Sequence, residues 1–186
     1  SRSRDGDYVC LSAWSKVTTE IRLIPTEDLL GPASAVIPRK QGVEYSIALG
    51  KGERFVRSNH EGENFAVYRL VDGELNTILE HDSKRLVTGI SAFESHLVIS
   101  ARQGGLQQII FMDRQSGDFK SIPFPDPAYA LGGNSNPNYK ATGYRYAYSS
   151  PIRQRTIYQT SFSDLSAVVL KVTPIPGGHD PESYLC

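Results

Sequence analysis

Apolar positions along this chain come in short runs and never in long ones. About fifteen stretches of five to eight residues are continuous or alternating in apolar character, each bounded by Gly, Pro, Asp or Asn. No stretch of eleven or more residues places apolar side chains at i, i+3, i+4 and i+7, the spacing one face of a helix requires. The pattern predicts an all-β protein.

The runs repeat. "DYVCLSAWSKVTTEIRLIPT", "ERFVRSNHEGENFAVYRLVD", "SHLVISARQGGLQQIIFMDR" and "YRYAYSSPIRQRTIYQTSFS" share one plan: an apolar strand, a Ser, a polar turn and a second strand rich in β-branched or aromatic residues. The leading positions Tyr8, Phe55, Leu97 and Tyr146 recur at intervals of 42–49 residues. Each pair is followed by further extended stretches, such as "SAVIPRK" and "VEYSIALG" after the first. Four short strands per unit of this length is the anatomy of a β-propeller blade. A β-sandwich is the competing architecture, but its sheets keep one wet face and alternate strictly. Here Tyr8-Val9-Cys10-Leu11 and Leu97-Val98-Ile99 run unbroken, as strands covered on both faces do.

The fold class expected is therefore all-β, a partial β-propeller of about four consecutive four-stranded antiparallel blades with the first incomplete. The approximate blades are 1–40, 43–82, 86–125 and 129–176. "SRSRDG" is too short and polar to serve as an inner strand, so the first unit is expected to begin at its second strand. The simplest expectation is a portion cut from a longer ring, with open blade edges that invite self-association.

Charge adds exclusions. Twenty Lys and Arg balance twenty Asp and Glu, with a sequence pI near 6.9, so no long-range field gathers nucleic acid or an anionic membrane. No apolar run approaches the roughly eighteen residues of a membrane helix, and no apolar segment follows the first basic residues. Cys10 and Cys186 stand at opposite ends with no metal-ligand spacing, which predicts no disulfide framework, a buried Cys10 and a cytoplasmic setting.

Catalytic motifs are missing: there is no G-x-S-x-G, no phosphate-binding G-x-x-x-x-G-K-[ST] and no H-E-x-x-H. "GKGERF" reads as a hairpin. His81-Asp82 and His179-Asp180 are adjacent pairs whose side chains diverge on an extended chain. His60 and His96 read as solvated turn or edge residues. Ser149-Ser150, ahead of the basic loop "PIRQR", have no base to activate them. In register with the other units Ser149 falls beside Ser58 and Ser100, a repeat feature at the end of a second strand. No catalytic residue, cofactor or metal site is expected.

Several stretches carry a resemblance: "SKVTTEIRLI", "GVEYSIALGKGERFVRSNHEGENFAVYRL", "FPDPAY" and "YRYAYSSPIRQRTIYQTSFSDLSAVVLKVTPIPGGHDPESY". Tyr148-Ser149-Ser150, Ile175-Pro176-Gly177-Gly178 and Asp180-Pro181-x-x-Tyr184 occur together. In order and spacing the chain resembles the second half of the propeller of the oligopeptidase B (protease II) group in the prolyl oligopeptidase family of serine peptidases. It departs in the early Pro151, in Gln154-Arg155 before Thr156, and in lacking an aromatic after "DPAY".

The resemblance implies a seven-bladed propeller capping an α/β-hydrolase domain that cleaves short peptides after Arg or Lys, with 177–186 crossing into that hydrolase. The chain itself then lacks the triad. Its partners are the hydrolase domain and, for the parent, short basic peptides. Its role is gating, size filtering and docking. Alternating strand direction puts the second-to-third strand loops 14–20, 59–64, 101–107 and 149–156 on one face, with connections 39–42, 81–85 and 124–128. Glu20, Asn59, Glu61, Asn64, Arg102, Arg153 and Arg155 are the residues expected to face the hydrolase or substrate. The competing reading is a stand-alone propeller-like module that binds a protein or peptide.

Overall fold

A computed structural model of the chain describes residues 1–175, 177 and 178. The rest of the expected crossing segment, residues 179–186, lies outside the described residues, and with it His179, Asp180 and Cys186. The described residues form fifteen strands in four antiparallel sheets, each a simple meander. Sheet A holds β1 (Tyr8–Trp14), β2 (Thr19–Pro25) and β3 (Ser34–Ala35). Sheet B holds β4 (Tyr45–Gly50), β5 (Glu53–Ser58), β6 (Ala66–Val71) and β7 (Glu74–Leu79). Sheet C holds β8 (Arg85–Ala92), β9 (His96–Gln103), β10 (Leu106–Asp113) and β11 (Phe119–Ser121). Sheet D holds β12 (Ala130–Gly133), β13 (Gly143–Ser150), β14 (Arg153–Ser161) and β15 (Ala167–Val172). This is the all-β partial propeller the repeats predict.

Tight turns close the meanders. Lys51-Gly52, Asp72-Gly73 and Gly104-Gly105 each place two successive residues at positive φ, between 46° and 85°. Such turns match the twist of the strands they join, and glycine takes that conformation without a Cβ penalty. The last pair corrects one expectation. Ser100 does not end its strand, because the two-glycine turn lets β9 run on to Gln103. Ser58 does end β5, and Ser149 lies one residue short of the end of β13.

Sheet A has three strands, but the opening residues pair with it. Ser3 N donates to Tyr8 O at 2.8 Å, Cys10 N donates to Ser1 O at 2.7 Å, and Arg2 bridges Val9. Ser3 Oγ donating to Asp5 Oδ1 at 2.5 Å, with Gly6 at φ 91°, makes the turn.

Three cores lie between the sheets. Phe55, Val67 and Ala48 of sheet B meet Val87, Leu97, Ile99, Ile110 and Met112 of sheet C. Val56, Ala66 and Tyr68 of sheet B meet Ile21, Leu23 and Val36 of sheet A. Val98, Ile109 and Phe111 of sheet C meet Tyr146, Tyr148 and Phe162 of sheet D. Consecutive residues of a strand point to opposite faces, so Phe55 fills one gap between sheets and Val56 the next. This is why the apolar runs are continuous. Phe55, Val56, Val67 and Tyr68 are fully buried, each side chain contributing roughly 1.5–3 kcal/mol.

Candidate functional site

One face of the molecule carries the loops singled out from the sequence, and the structure shows what those residues do. Each second-to-third strand loop is hydrogen-bonded to a connection between neighbouring sheets. Thr19 N donates to Val43 O at 3.1 Å. Glu20 pairs with Arg22 at 2.7 Å and faces Arg39 at 3.6 Å, while Arg39 Nη2 donates to Ala13 O at 3.2 Å. The Arg22 hydrogen bond, then the charges of Arg22 and Arg39, hold the Glu20 carboxyl below the usual carboxylate range.

The 59–65 loop is fastened at both ends. Asn59 Oδ1 accepts from Glu44 N at 2.8 Å and its Nδ2 donates to Gly42 O at 3.2 Å. Asn64 Nδ2 donates to the carbonyls of Asp82 and Ser83 at 3.0 and 2.7 Å. Both side chains satisfy backbone groups that would otherwise need water. Glu61 is turned toward the loop's own strand, its Oε2 accepting from the Tyr68 hydroxyl at 2.8 Å. Burial, then that carboxylate, pushes the Tyr68 hydroxyl well above its usual range. At the next loop Tyr129 Oη donates to Gln107 O, and Leu131 N to Gln107 Oε1, both at 2.8 Å.

The loop "PIRQR" is fastened through a carboxylate that sequence reading passed over. Asp126, in the β11–β12 connection, is buried. It accepts from the Tyr148 hydroxyl at 2.5 Å and from Arg153 Nε at 3.0 and 3.2 Å. The Tyr148 bond, opposed by burial and joined by Arg153, lowers the Asp126 carboxyl below its ordinary value. Burial, then Asp126, pushes Tyr148 well up. Ser149 lies opposite Ala130 and Ser150 opposite Arg153 in the strand register. Arg102 on β9 and Arg155 on β14 are exposed. Of the seven expected residues, then, Asn59, Asn64 and Arg153 fasten loops to connections, Glu20 bridges β2 to a connection, Glu61 holds Tyr68, and Arg102 and Arg155 are exposed.

Histidines fall into structural places. His96 was expected to be solvated, but its side chain is only 13% exposed and its ring stacks on Phe162 at 4.7 Å. Ser95 Oγ is 2.9 Å from His96 Nδ1, and Asp113 Oδ2 lies 3.7 Å from Nε2. That last separation is too long for the orienting hydrogen bond of a catalytic triad. Asp113 is also occupied, its Oδ1 accepting from the backbone N–H of Gln115 and Ser116. Among the described residues no group of three or more His, Cys, Asp or Glu is arranged to hold a metal ion. Cys10, expected to be buried, is half-buried against the core between sheets A and B.

The opposite face carries a second feature that the sequence did not reveal. Arg114, only 9% exposed, pairs with Glu53 of sheet B. It also donates to the carbonyls of Gly50, Phe93 and Glu94 and to Tyr139 Oη at 2.6–3.0 Å. It clasps sheets B and C to the loop that precedes β13. Lys51 pairs with Glu94 across the same seam.

Comparison with known proteins agrees with the architecture. Residues 1–173 match the sequence model of the family described as the prolyl oligopeptidase N-terminal β-propeller domain. A protein named Protease 2 from Moraxella lacunata is 24% identical over 187 residues, which cover 99% of this chain and 27% of that protein. Dipeptidyl aminopeptidase BI from Pseudoxanthomonas mexicana is 27% identical over 193 residues, covering 99% of this chain and 26% of that one. The chain thus spans about a quarter of the length of these relatives. Among solved structures, oligopeptidase B from Leishmania major is similar with a TM-score of 0.88 and 22% identity, over 98% of this chain and 28% of that one. Oligopeptidase B from Trypanosoma brucei, in a closed form with covalently bound antipain, gives 0.90 and 21%, over 100% and 28%.

Proposed function

Because the chain belongs to the prolyl oligopeptidase N-terminal β-propeller family, we propose that it is the gating and docking portion of an oligopeptidase B-like serine peptidase that cleaves short peptides after Arg or Lys. In this reading residues 1–176 are the propeller portion and 177–186 cross into the hydrolase domain, in a cytoplasmic protein. The chain alone is non-catalytic. The observation that carries the reading is the match of almost the whole chain to a family named for peptidases, by a chain about a quarter as long as its named relatives.

The geometry supports the division of labour. The loops of one face are tied by hydrogen bonds to the connections between sheets, which suits a surface that must meet a second domain reproducibly. Arg102 and Arg155, both exposed, are the candidate contacts. Gating then comes from whole-domain movement of propeller against hydrolase, which admits peptides small enough to pass and excludes folded proteins.

Two measurements test this. The reading frame that encodes the chain is expected to continue into a hydrolase with a G-x-S-x-G motif, and the purified chain is expected to leave an Arg-containing dipeptide amide uncleaved. A stop codon directly after Cys186, or turnover by the purified chain, overturns the proposal.

A further inference from the structure

The opening residues 1–4 and β1 of sheet A, the inner strands β4 and β8, and the loop that follows β12 surround a cavity of about 610 Å³. Its lining mixes apolar side chains, among them Ile47, Leu49 and Ile90, with polar ones, and is one-sided in charge. Arg2 and Arg4 supply guanidinium groups and Ser12, Ser46 and Ser91 supply hydroxyls, and no acidic residue lines it among the described residues.

Arg4 is the informative member. It is partly buried, with Nη1 donating to Ala92 O at 2.9 Å, Nη2 to Ser91 Oγ at 3.5 Å, and its guanidinium over the Phe93 ring at 4.4 Å. All three partners are neutral. The side-chain bonds of Arg2 among the described residues go to the carbonyl of Gly6, also neutral. Among the described residues neither arginine takes part in an ion pair, whereas Arg22, Arg39, Arg69, Arg114 and Arg153 each have a carboxylate. A guanidinium drawn out of water with no counter-charge is destabilising, and burial does pull Arg4 below its ordinary range. An anion arriving between two such groups gains charge-assisted hydrogen bonds from both.

We propose that this cavity binds the C-terminal carboxylate of a peptide, held by Arg4 and Arg2 against the serine hydroxyls of β1, β4 and β8. The peptide as carrier rests on the function proposed above. The carboxylate rests on the cavity alone.

Calorimetric titration of the 186-residue chain with Ala-Ala-Ala, its C-terminal amide and acetate tests the proposal. The tripeptide acid is expected to bind about tenfold or more tightly than the amide, the size of one charge-assisted hydrogen bond, and to weaken with added salt. Arg4→Met and Arg2→Gln are each expected to weaken the acid and leave the amide unchanged. Equal binding of acid and amide, no binding of the acid, or full affinity in both variants overturns the proposal. Arg2 is exposed, so Arg2→Gln decides the matter if Arg4→Met fails to fold by circular dichroism: undiminished, salt-independent affinity in that variant is a refutation. Acetate binding as tightly as the tripeptide overturns the assignment to a peptide. That result would not touch the hydrolase-partner reading, which the reading frame and the turnover assay decide separately.

Discussion

A buried carboxylate is held in place by the groups that keep it ionised, and Asp126 shows how closely that couples one loop to pH. Its side chain is 6% exposed and is bonded by Tyr148 and Arg153, so folding favours the charged form and depresses its pKa. A depressed carboxyl contributes stability that is fully present above the unfolded value, near 3.9, and is lost as pH falls through the lower folded value. Tyr148 has the opposite sign. Its pKa is raised, so its contribution is present at neutral pH and disappears only as pH rises past its ordinary value of about 10. The acid limb therefore reports on Asp126 rather than Tyr148. Asp126→Asn is expected to lower stability by about 1.5–3 kcal/mol at pH 7, the size of a hydrogen bond to a charged group. In urea denaturation the gap between wild type and variant should close as pH drops from 5 toward 2. A gap that stays constant with pH would mean the carboxylate contributes by shape alone.

Elements were the most legible level, and the reason is geometric. A strand covered on both faces is apolar at consecutive positions, so β6, β9 and β10 announce themselves through the runs "AVY", "LVI" and "IIFM", and the recurrence of such runs marks the sheets. What could not be read is which polar residue serves which neighbour. Asn59 and Asn64 read in the sequence as loop residues facing a partner, because an amide bonded to the chain's own backbone has the same side chain as one that meets a partner. Arg114 gives no local sign either, since its partner carbonyl on Gly50 is 64 residues away. Asp126 sits between two prolines and reads as a turn residue until Arg153 is brought to it, 27 residues later in the chain.

One element stands out from its counterparts. The outer strand β7 exposes only Glu74, Asn76 and Thr77, and β11 exposes Phe119 beside Lys120 and Ser121, whereas β15 exposes all six residues of "AVVLKV". Long, exposed apolar edges recruit other strands. The isolated chain is therefore expected to self-associate through β15, and Val169→Lys to shift it toward monomer in light scattering at the same concentration. A wild-type chain that stays monomeric throughout leaves β15 without that role.

At the scale of the whole molecule, the four sheets form a row in which each touches its neighbours, so cohesion is carried by three interfaces rather than one centre. Stability in such an array follows nearest-neighbour contacts. Sheets B and C are covered on both faces and clasped together by Arg114. Within the described residues sheets A and D each share an apolar core with one neighbour and reach further through polar contacts such as Arg4 to Ala92, and they carry much of the exposed apolar surface, Leu11 and Trp14 on β1 and Val168, Val169 and Leu170 on β15. Local opening is favoured where few apolar contacts must be broken. Native-state hydrogen exchange should then rank the amides of β5, β6, β9 and β10 slowest, with β1, β3 and β15 exchanging at a markedly lower free energy. Arg114→Met should narrow that gap by releasing sheet C from sheet B, without changing exchange in β1. If all strands exchange together at one free energy, the row opens as a single cooperative unit, and the three interfaces are not its separable joints.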